Sequence, residues 1–291
     1  MEIEIDKYAG FCFGVVKAIQ KAEAYLESRD KLYCLGEIVH NEAEQDRLGK
    51  KGLVTITRDE FNQLKNTTVL IRAHGEPPET YQIAIKNNLH LIDATCPVVL
   101  SLQNVIQNDW DEHRDDDTQV VIYGREKHAE VIGLAGQTGF NAIIVEKPGD
   151  IEKIDFSKKV HIYAQTTVDP LHYQEIIKKI KDGYRELNRD PENQIIIKES
   201  ICRQVSRRKP QLRKFSTTHE VILFISGKNS SNGKMLFNVC LENNPRSYMV
   251  NNVNEIQKHW FNGISTVGIS GANSTPGWML EEAKEIIHGL K

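Results

Sequence analysis

Three of the five cysteines stand where an apolar run gives way to a tight turn: Gly10-Phe11-Cys12-Phe13-Gly14, Asp93-Ala94-Thr95-Cys96-Pro97 and Glu199-Ser200-Ile201-Cys202-Arg203. Unpaired cysteine is ordinarily a buried small hydrophobe. Cys34 and Cys240, within an apolar strand-like run and an apolar helical run, fit that description and receive no function. The other three lie beside Gly, Thr-Pro, or Ser and Arg, surroundings that core packing explains less well. Three thiolates with no fourth nearby leave two metal chemistries open. A Cys3His zinc site is one, although the short Cys-x2-Cys spacing usual for zinc is absent. The other is a 4Fe-4S cluster held by three thiolates with its fourth iron open to substrate, which needs no local pairing and suits soft sulfur donors.

The elements that must carry these residues alternate along the chain. Short β-rich runs over residues 3–8, 32–35, 69–71, 90–92, 120–123, 142–145, 160–163, 194–197, 221–225, 248–250 and 266–269 read as strands. Longer amphipathic stretches between them, including residues 15–27, 78–86, 98–109, 171–188 and 276–287, read as helices. Strands alternating with helices of this length predict βαβ units, so the fold class is α/β with mainly parallel sheets. Each third of the chain supplies one cysteine from a strand-to-helix turn, which points to three similar α/β units around a shared centre. Two polar stretches read as seams. Residues 111–117 are a solvated helix end and loop; residues 188–193, with Pro and Asn, are the better linker.

Polar motifs follow the strands. Gly36-Glu37-Ile38-Val39-His40-Asn41, Arg72-Ala73-His74-Gly75 and Gly124-Arg125-Glu126-Lys127-His128-Ala129-Glu130 each come directly after one, as do Ala164-Gln165-Thr166-Thr167 and two Ser/Asn-rich turns near residues 226–232 and 270–276. Ligands of open α/β sheets bind at the carboxyl ends of the strands, so these segments are expected to converge. Their chemistry favours an anion. Ser230, Ser231, Asn232 and Ser274 fall at expected helix starts, where unpaired N–H groups and the helix dipole attract negative charge. Ser and Asn are also the common N-caps, but two such turns together with His40 and His74 point to phosphate. There is no P-loop, because Gly227-Lys228 lacks the upstream glycine. His128 and Glu130 pair an imidazole with a carboxyl able to hold a proton near neutral pH, with Glu126 as the rival carboxylate.

Composition narrows the class. With 291 residues and 40% hydrophobic content the chain has room for more than one core, and its apolar runs are strand-sized, far below the ~20 residues of a membrane helix. No membrane span is expected. A formal net charge of −3 argues against non-specific nucleic-acid binding, which relies on a basic patch. Five scattered cysteines make a poor disulfide framework and suit a reducing cytoplasm, and the start of the chain lacks a basic region and an apolar signal core.

The ordered set of motifs resembles the 4-hydroxy-3-methylbut-2-enyl diphosphate reductase family. The match runs nearly end to end through the three cysteine turns, Val39-His40-Asn41, Ala73-His74-Gly75, His128-Ala129-Glu130-Val131-Ile132-Gly133, Gln165-Thr166-Thr167, Asn229-Ser230-Ser231-Asn232 and Gly271-Ala272-Asn273-Ser274-Thr275-Pro276. Any one motif is weak, but their order and spacing are not. The resemblance implies three α/β units in a trefoil around a central iron-sulfur cluster, here near residues 14–96, 97–198, and 199–291 completed by 1–13. It implies that Cys12, Cys96 and Cys202 hold a 4Fe-4S cluster, and that His40, His74, Ser230, Asn232 and Ser274 grip a diphosphate with Ser231 close by. His128 and Thr166 would face substrate, and Glu130 would supply protons.

The implied reaction is a two-electron reductive dehydration to isopentenyl and dimethylallyl diphosphates. Ferredoxin or flavodoxin is the expected electron donor, since the chain shows no dinucleotide fingerprint. The sequence departs from the family pattern after the third cysteine. A small residue and a threonine are common there, whereas this chain reads Arg203-Gln204-Val205-Ser206-Arg207-Arg208-Lys209-Pro210. The simplest reading of that basic run is a solvated helix face; docking of an acidic electron donor is the other. A non-redox iron-sulfur dehydratase and a non-enzymatic metal protein are the competing function classes.

Overall fold

The computed structural model describes residues 1–227 and 230–290, apart from the side chain of Ser231. The apolar runs become parallel strands and the amphipathic stretches become the helices that cover them. In chain order the first elements are β1 (Glu2–Ile5), α1 (Phe13–Leu26), β2 (Leu32–Leu35), α2 (Glu42–Lys50), β3 (Leu53–Ile56), α3 (Arg58–Gln63), β4 (Thr68–Ile71), α4 (Pro78–Lys86) and β5 (His90–Asp93). There follow α5 (Pro97–His113), β6 (Thr118–Tyr123), α6 (Ala129–Gly136), β7 (Ile143–Val145), β8 (Lys159–Ala164), α7 (Pro170–Glu186) and β9 (Ile195–Ile197). The chain closes with α8 (Arg203–Thr217), β10 (Val221–Ile225), α9 (Ser231–Asn243), β11 (Ser247–Val250), β12 (Thr266–Gly271) and α10 (Gly277–Gly289).

The strands form three four-stranded sheets, ordered β3-β2-β4-β5, β7-β6-β8-β9 and β1-β12-β10-β11, whose described pairings are parallel. This is the α/β class expected from the alternation of elements. Parallel sheets need cover on both faces, and the packing supplies it. In the sheet that begins with β1, Leu223, Ile225 and Ile269 pack under Met279, Leu280 and Ala283 of α10, whereas Ile222 and Phe224 pack under Leu212 of α8 and Leu236 of α9. In the sheet around β8, Val160, Ile162 and Ala164 meet Ile176, Ile177 and Ile180 of α7, while Tyr163 meets Leu102 and Ile106 of α5.

The chain divides into two compact units, one of residues 1–32, 37–55 and 207–291 and the other of residues 33–36 and 56–206. They are called the first and second unit below.

Several boundaries differ from the sequence reading for local reasons. β1 stops at Ile5, short of residue 8, because Asp6 turns the chain: its carboxylate accepts from Tyr8 N at 3.0 Å and its carbonyl from Ala9 N at 2.8 Å. β3 was not expected, since its alternation is broken: Leu53 and Ile56 are buried and Val54 and Thr55 exposed. α5 runs on to His113, beyond residue 109, and the acidic segment after it is solvated as expected. Residues 188–193 are a pinned turn within one sheet's crossover. Arg189 donates to Phe156 O at 2.6 Å and Gln194 Oε1 at 2.7 Å, and Asp190 caps the short helix Pro191–Asn193.

Candidate active site

In the second unit the parallel strands deliver their polar turns to one edge. β5 ends in a side-chain turn, where Asp93 Oδ1 accepts from Thr95 N at 2.8 Å and Thr95 Oγ1 at 2.5 Å. Cys96 N then donates to Ala73 O at 3.0 Å, and Pro97 opens α5, a position where proline's missing N–H costs nothing. Cys96 is thereby held beside the His74 turn. Gly75 in that turn has φ +71°, and a Cβ there would meet the Gln103 amide at 2.7 Å and Thr95 Cγ2 at 3.1 Å. Helix α6 packs on the same place, since a Cβ on its Gly133 would strike the Gln103 amide at 2.9 Å. The rings of His74 and His128 meet edge to face with centroids 5.1 Å apart.

Glu130 is the chemically distinctive group. It is 1% exposed, and burial pushes its carboxyl up to about 7 against two stabilising hydrogen bonds. Thr166 supplies both: its backbone N donates to Oε1 at 2.6 Å and its Oγ1 lies 3.0 Å from Oε2. The N–H cannot take a proton back, so a protonated Glu130 carries its hydrogen on Oε2, facing the Thr166 hydroxyl. His128 caps α6, its Nδ1 accepting from Glu130 N at 3.2 Å. A neutral His128 ring therefore bears its hydrogen on Nε2, as a donor. Thr166 also fixes the third thiol turn, because its carbonyl accepts from Cys202 N at 2.9 Å. Ser200 adds a second tie, its Oγ accepting from Ala164 N at 2.7 Å. Glu126 is exposed, with its backbone N donating to Glu146 Oε2 at 3.1 Å.

The first unit carries the neutral donors. β10 and β12 pair with Ile225 opposite Gly271, so the turns that follow them leave the sheet side by side. Thr275 Oγ1 donates to Ile225 O at 2.7 Å and binds the second turn to the first strand. Ser230 caps α9, its Oγ accepting from Gly233 N at 3.0 Å, which leaves its O–H to donate elsewhere. Asn232 Oδ1 is buried with no hydrogen-bond partner among the described residues, a cost a native fold seldom leaves without a ligand or water. Ser274 is half-buried and is not a helix cap: Pro276 takes that place, and Ser274 sits two residues earlier in the turn. Asn229 lies outside the described residues, as does the side chain of Ser231. The Cys12 loop packs on the Ser274 turn, where Gly10, at φ +87°, leaves no more than 3.1 Å between a Cβ and Thr275 O. His40 is exposed, with Nδ1 3.0 Å from Glu37 Oε2.

The five cysteines separate by environment. Cys34 and Cys240 are fully buried, and burial pushes their thiols up to about 12 and about 11, which suppresses the thiolate. Cys12, Cys96 and Cys202 are half-buried and each immediately precedes a helix, where unpaired N–H groups favour negative charge. Neither Cys12 nor Cys96 spends its sulfur on capping its helix. Three accessible soft donors at helix starts fit an iron-sulfur cluster.

The LytB protein family matches residues 3–288. The chain belongs to that family. It is 50% identical over 290 residues to 4-hydroxy-3-methylbut-2-enyl diphosphate reductase of Bacteroides thetaiotaomicron, covering 100% of this chain and 99% of that protein. It is 47% identical over 290 residues to the reductase of the same name from Porphyromonas gingivalis, with 99% of each covered. A solved structure of (E)-4-hydroxy-3-methyl-but-2-enyl diphosphate reductase, described as the terminal enzyme of the non-mevalonate pathway, superposes with a TM-score of 0.80 at 34% identity and 99% coverage of both chains. The corresponding Plasmodium falciparum reductase structure also gives 0.80, at 26% identity, covering 98% of this chain and 87% of that one.

Two further groups shape the site that were not singled out from the sequence. Gln103 is a buried amide on the inner face of α5, against which the Gly75 turn and Gly133 of α6 close. Its signal was a polar residue at core spacing between Val99 and Ile106. Asp93 organises the Cys96 turn and also accepts from Tyr81 Oη at 2.8 Å. The basic run after Cys202 is not a uniformly solvated face. Arg208 is 3% exposed, donating to Asp6 Oδ2 and Ser270 Oγ, each at 2.7 Å, so it anchors α8 to the turn after β1 and to the end of β12. Among the described residues, no helix is long and apolar enough to cross a membrane.

Proposed function

We propose that this protein converts 4-hydroxy-3-methylbut-2-enyl diphosphate, with two electrons and two protons, into isopentenyl or dimethylallyl diphosphate and water. The observation that carries the reading is Glu130, a buried carboxyl with a proton available near pH 7 and a hydroxyl relay at Oε2. Cys12, Cys96 and Cys202 would hold a 4Fe-4S cluster, which when bound supplies the electrons and an open iron as Lewis acid for the allylic oxygen. Thr166 Oγ1 accepts the Glu130 proton and passes its own hydrogen towards that oxygen, so the hydroxyl leaves as water. Re-protonated Glu130 supplies the second proton, to the allyl carbon. His128, with its hydrogen on Nε2, joins His40, His74, Ser230, Asn232 and Ser274 in holding substrate, the last five on the diphosphate with Ser231 close by. The Ser and Asn donors suit that task, because hydrogen bonds to an ionised acceptor are stronger than those between neutral groups.

Each of the ranges 14–96, 97–198, and 199–291 with 1–13 contains one of the three sheets, which supports reading the chain as three α/β units. Cysteines outside disulfides support a reducing cytoplasm, with ferredoxin or flavodoxin as electron donor. Anaerobic purification with iron, sulfide and zinc analysis, followed by assay with and without reduced donor, tests the reading. The expected result is iron and sulfide in equal amounts and product only with reductant; zinc in place of iron, or turnover without a donor, overturns it.

A further inference from the structure

A second cluster of donors lies in the second unit, on side chains the reaction does not use. Asp109 and His113 are one helical turn apart near the end of α5, so they share a face of that helix. His161 and Tyr163 are two residues apart on β8 and share the sheet face that α5 covers, as the packing of Tyr163 against Leu102 and Ile106 shows. The result is a helix pair facing a strand pair. His161 Nδ1 lies 2.8 and 2.9 Å from the two oxygens of Asp109. His113 Nδ1 lies 3.5 Å from Asp109 Oδ1 and 3.0 Å from the Asp109 carbonyl oxygen, and the two imidazoles meet edge to face at 4.8 Å.

A plain buried ion pair accounts for Asp109 and His161 and for nothing more. It leaves a second imidazole in the same place, and it leaves the Tyr163 hydroxyl. That hydroxyl is fully buried, and burial and the adjoining Asp109 carboxylate push its ionisation upward, so it stays neutral. Yet it makes no hydrogen bond of acceptable geometry among the described residues. One ligand atom from each of Asp109, His113 and His161 lies within 4.8 Å of the others. Ligand atoms around a tetrahedral zinc with bonds of ~2.0–2.1 Å are spaced at ~3.3 Å, so small adjustments convert this arrangement into a coordination shell.

We propose that Asp109, His113 and His161 form a second metal site, lined by nitrogen and oxygen, that takes a divalent transition cation such as zinc and is separate from the cysteines. Two imidazoles and a carboxylate select such an ion over magnesium or calcium, which prefer all-oxygen shells. Asp109 and His161 are almost completely buried, whereas His113 is 29% exposed and provides the entry path and the place for a water as fourth ligand. The Tyr163 hydroxyl then has a role as donor to the Asp109 oxygen that the metal does not use, the kind of outer contact that orients a carboxylate ligand. The site ties the end of α5, whose start bears Cys96, to β8, whose end leads to Thr166.

The test is titration of anaerobically purified, cluster-containing protein with zinc by calorimetry and with cobalt(II) by absorption. One zinc per chain is expected, and cobalt should give visible d–d bands without the near-ultraviolet thiolate charge-transfer band that binding at the cysteines would produce. His113→Ala, at a part-exposed position, should weaken zinc binding at least 10- to 100-fold, since even the loss of an outer contact to a ligand costs that much. His161→Ala should do the same; if it fails to fold, His113→Ala still decides. Absence of stoichiometric binding in the parent, a thiolate band with cobalt, or unchanged affinity in His113→Ala would overturn the proposal.

Discussion

The second unit concentrates its chemistry in a dry carboxyl, whereas the first presents neutral hydroxyl and amide groups on turns. Glu130 is buried against Thr166 and its ionisation is displaced by that burial, while Ser230, Asn232 and Ser274 sit at half-buried positions, at the start of α9 and in the turn before α10, where no titratable group is required. The difference suits the two tasks proposed for these groups. A proton donor must be desolvated for its pKa to approach the working pH. Recognition of a diphosphate needs many donors of fixed direction, and helix starts with flanking Ser and Asn supply them without any pKa adjustment.

The thiols offer the most severe test, because the proposed ligand set draws on each unit. Replacing Cys12, in the first unit, or Cys96 or Cys202, in the second, by Ser should abolish cluster iron measured after anaerobic purification. Cys34→Ser and Cys240→Ser should keep it, since those thiols are fully buried. Normal iron in any of the first three variants would remove that cysteine from the ligand set.

Glu130→Gln sharpens the contrast next. It keeps both contacts with Thr166 but cannot deliver a proton, so turnover should fall about 10²- to 10⁴-fold while iron content and substrate binding persist. The same variant has a thermodynamic signature. The native carboxyl titrates near 7, well above its unfolded value of 4.5, so between those values the native state holds the extra proton. Stability from this group is therefore complete below about pH 4.5 and is lost as pH rises through 7. Glu130→Gln does not suffer that loss, and denaturant unfolding should find it more stable than the parent at pH 8, by up to about 3 kcal/mol, with the advantage shrinking towards pH 5. Equal pH profiles for the two proteins would show that Glu130 is not displaced by burial.

Smaller effects belong to the first unit. Asn232→Ala or Ser274→Ala each removes one proposed bond to a charged group and should weaken diphosphate binding by about 1.5–3 kcal/mol, read by calorimetry, with the cluster spectrum unchanged. Unaltered affinity would take the residue out of the anion site. The smallest effect is expected from Glu126→Gln, which should turn over at the parent rate because Glu126 is exposed. A failing Glu126→Gln alongside a normal Glu130→Gln would reverse the assignment of the acid.

The α/β class, the order of the strands other than β3 and the placement of the polar motifs after them were legible in the residues, because apolar periodicity and turn chemistry act over a few neighbours. So was the separation of the cysteines. Cys34 and Cys240 lie inside apolar runs and are fully buried, whereas Cys12, Cys96 and Cys202 lie in turns and are half-buried. Only the tertiary structure decided which groups are dry and what they touch. Arg208 read as part of a solvated basic face until Asp6, 202 residues away, was seen to pair with it. Gln103 looked like an ordinary helix residue and proved to be the surface on which the Gly75 turn and helix α6 close. Asp109, His113 and His161 carried no joint signal, because the separation of 52 residues between Asp109 and His161 is bridged by a helix packing on a strand rather than by any spacing in the chain. Glu130 was nameable from its motif, but its proton affinity depends on desolvation and on Thr166, 36 residues further on. Local sequence determines which residue types stand at the ends of strands; burial and long-range pairing, which depend on the whole packed chain, determine what those residues can do.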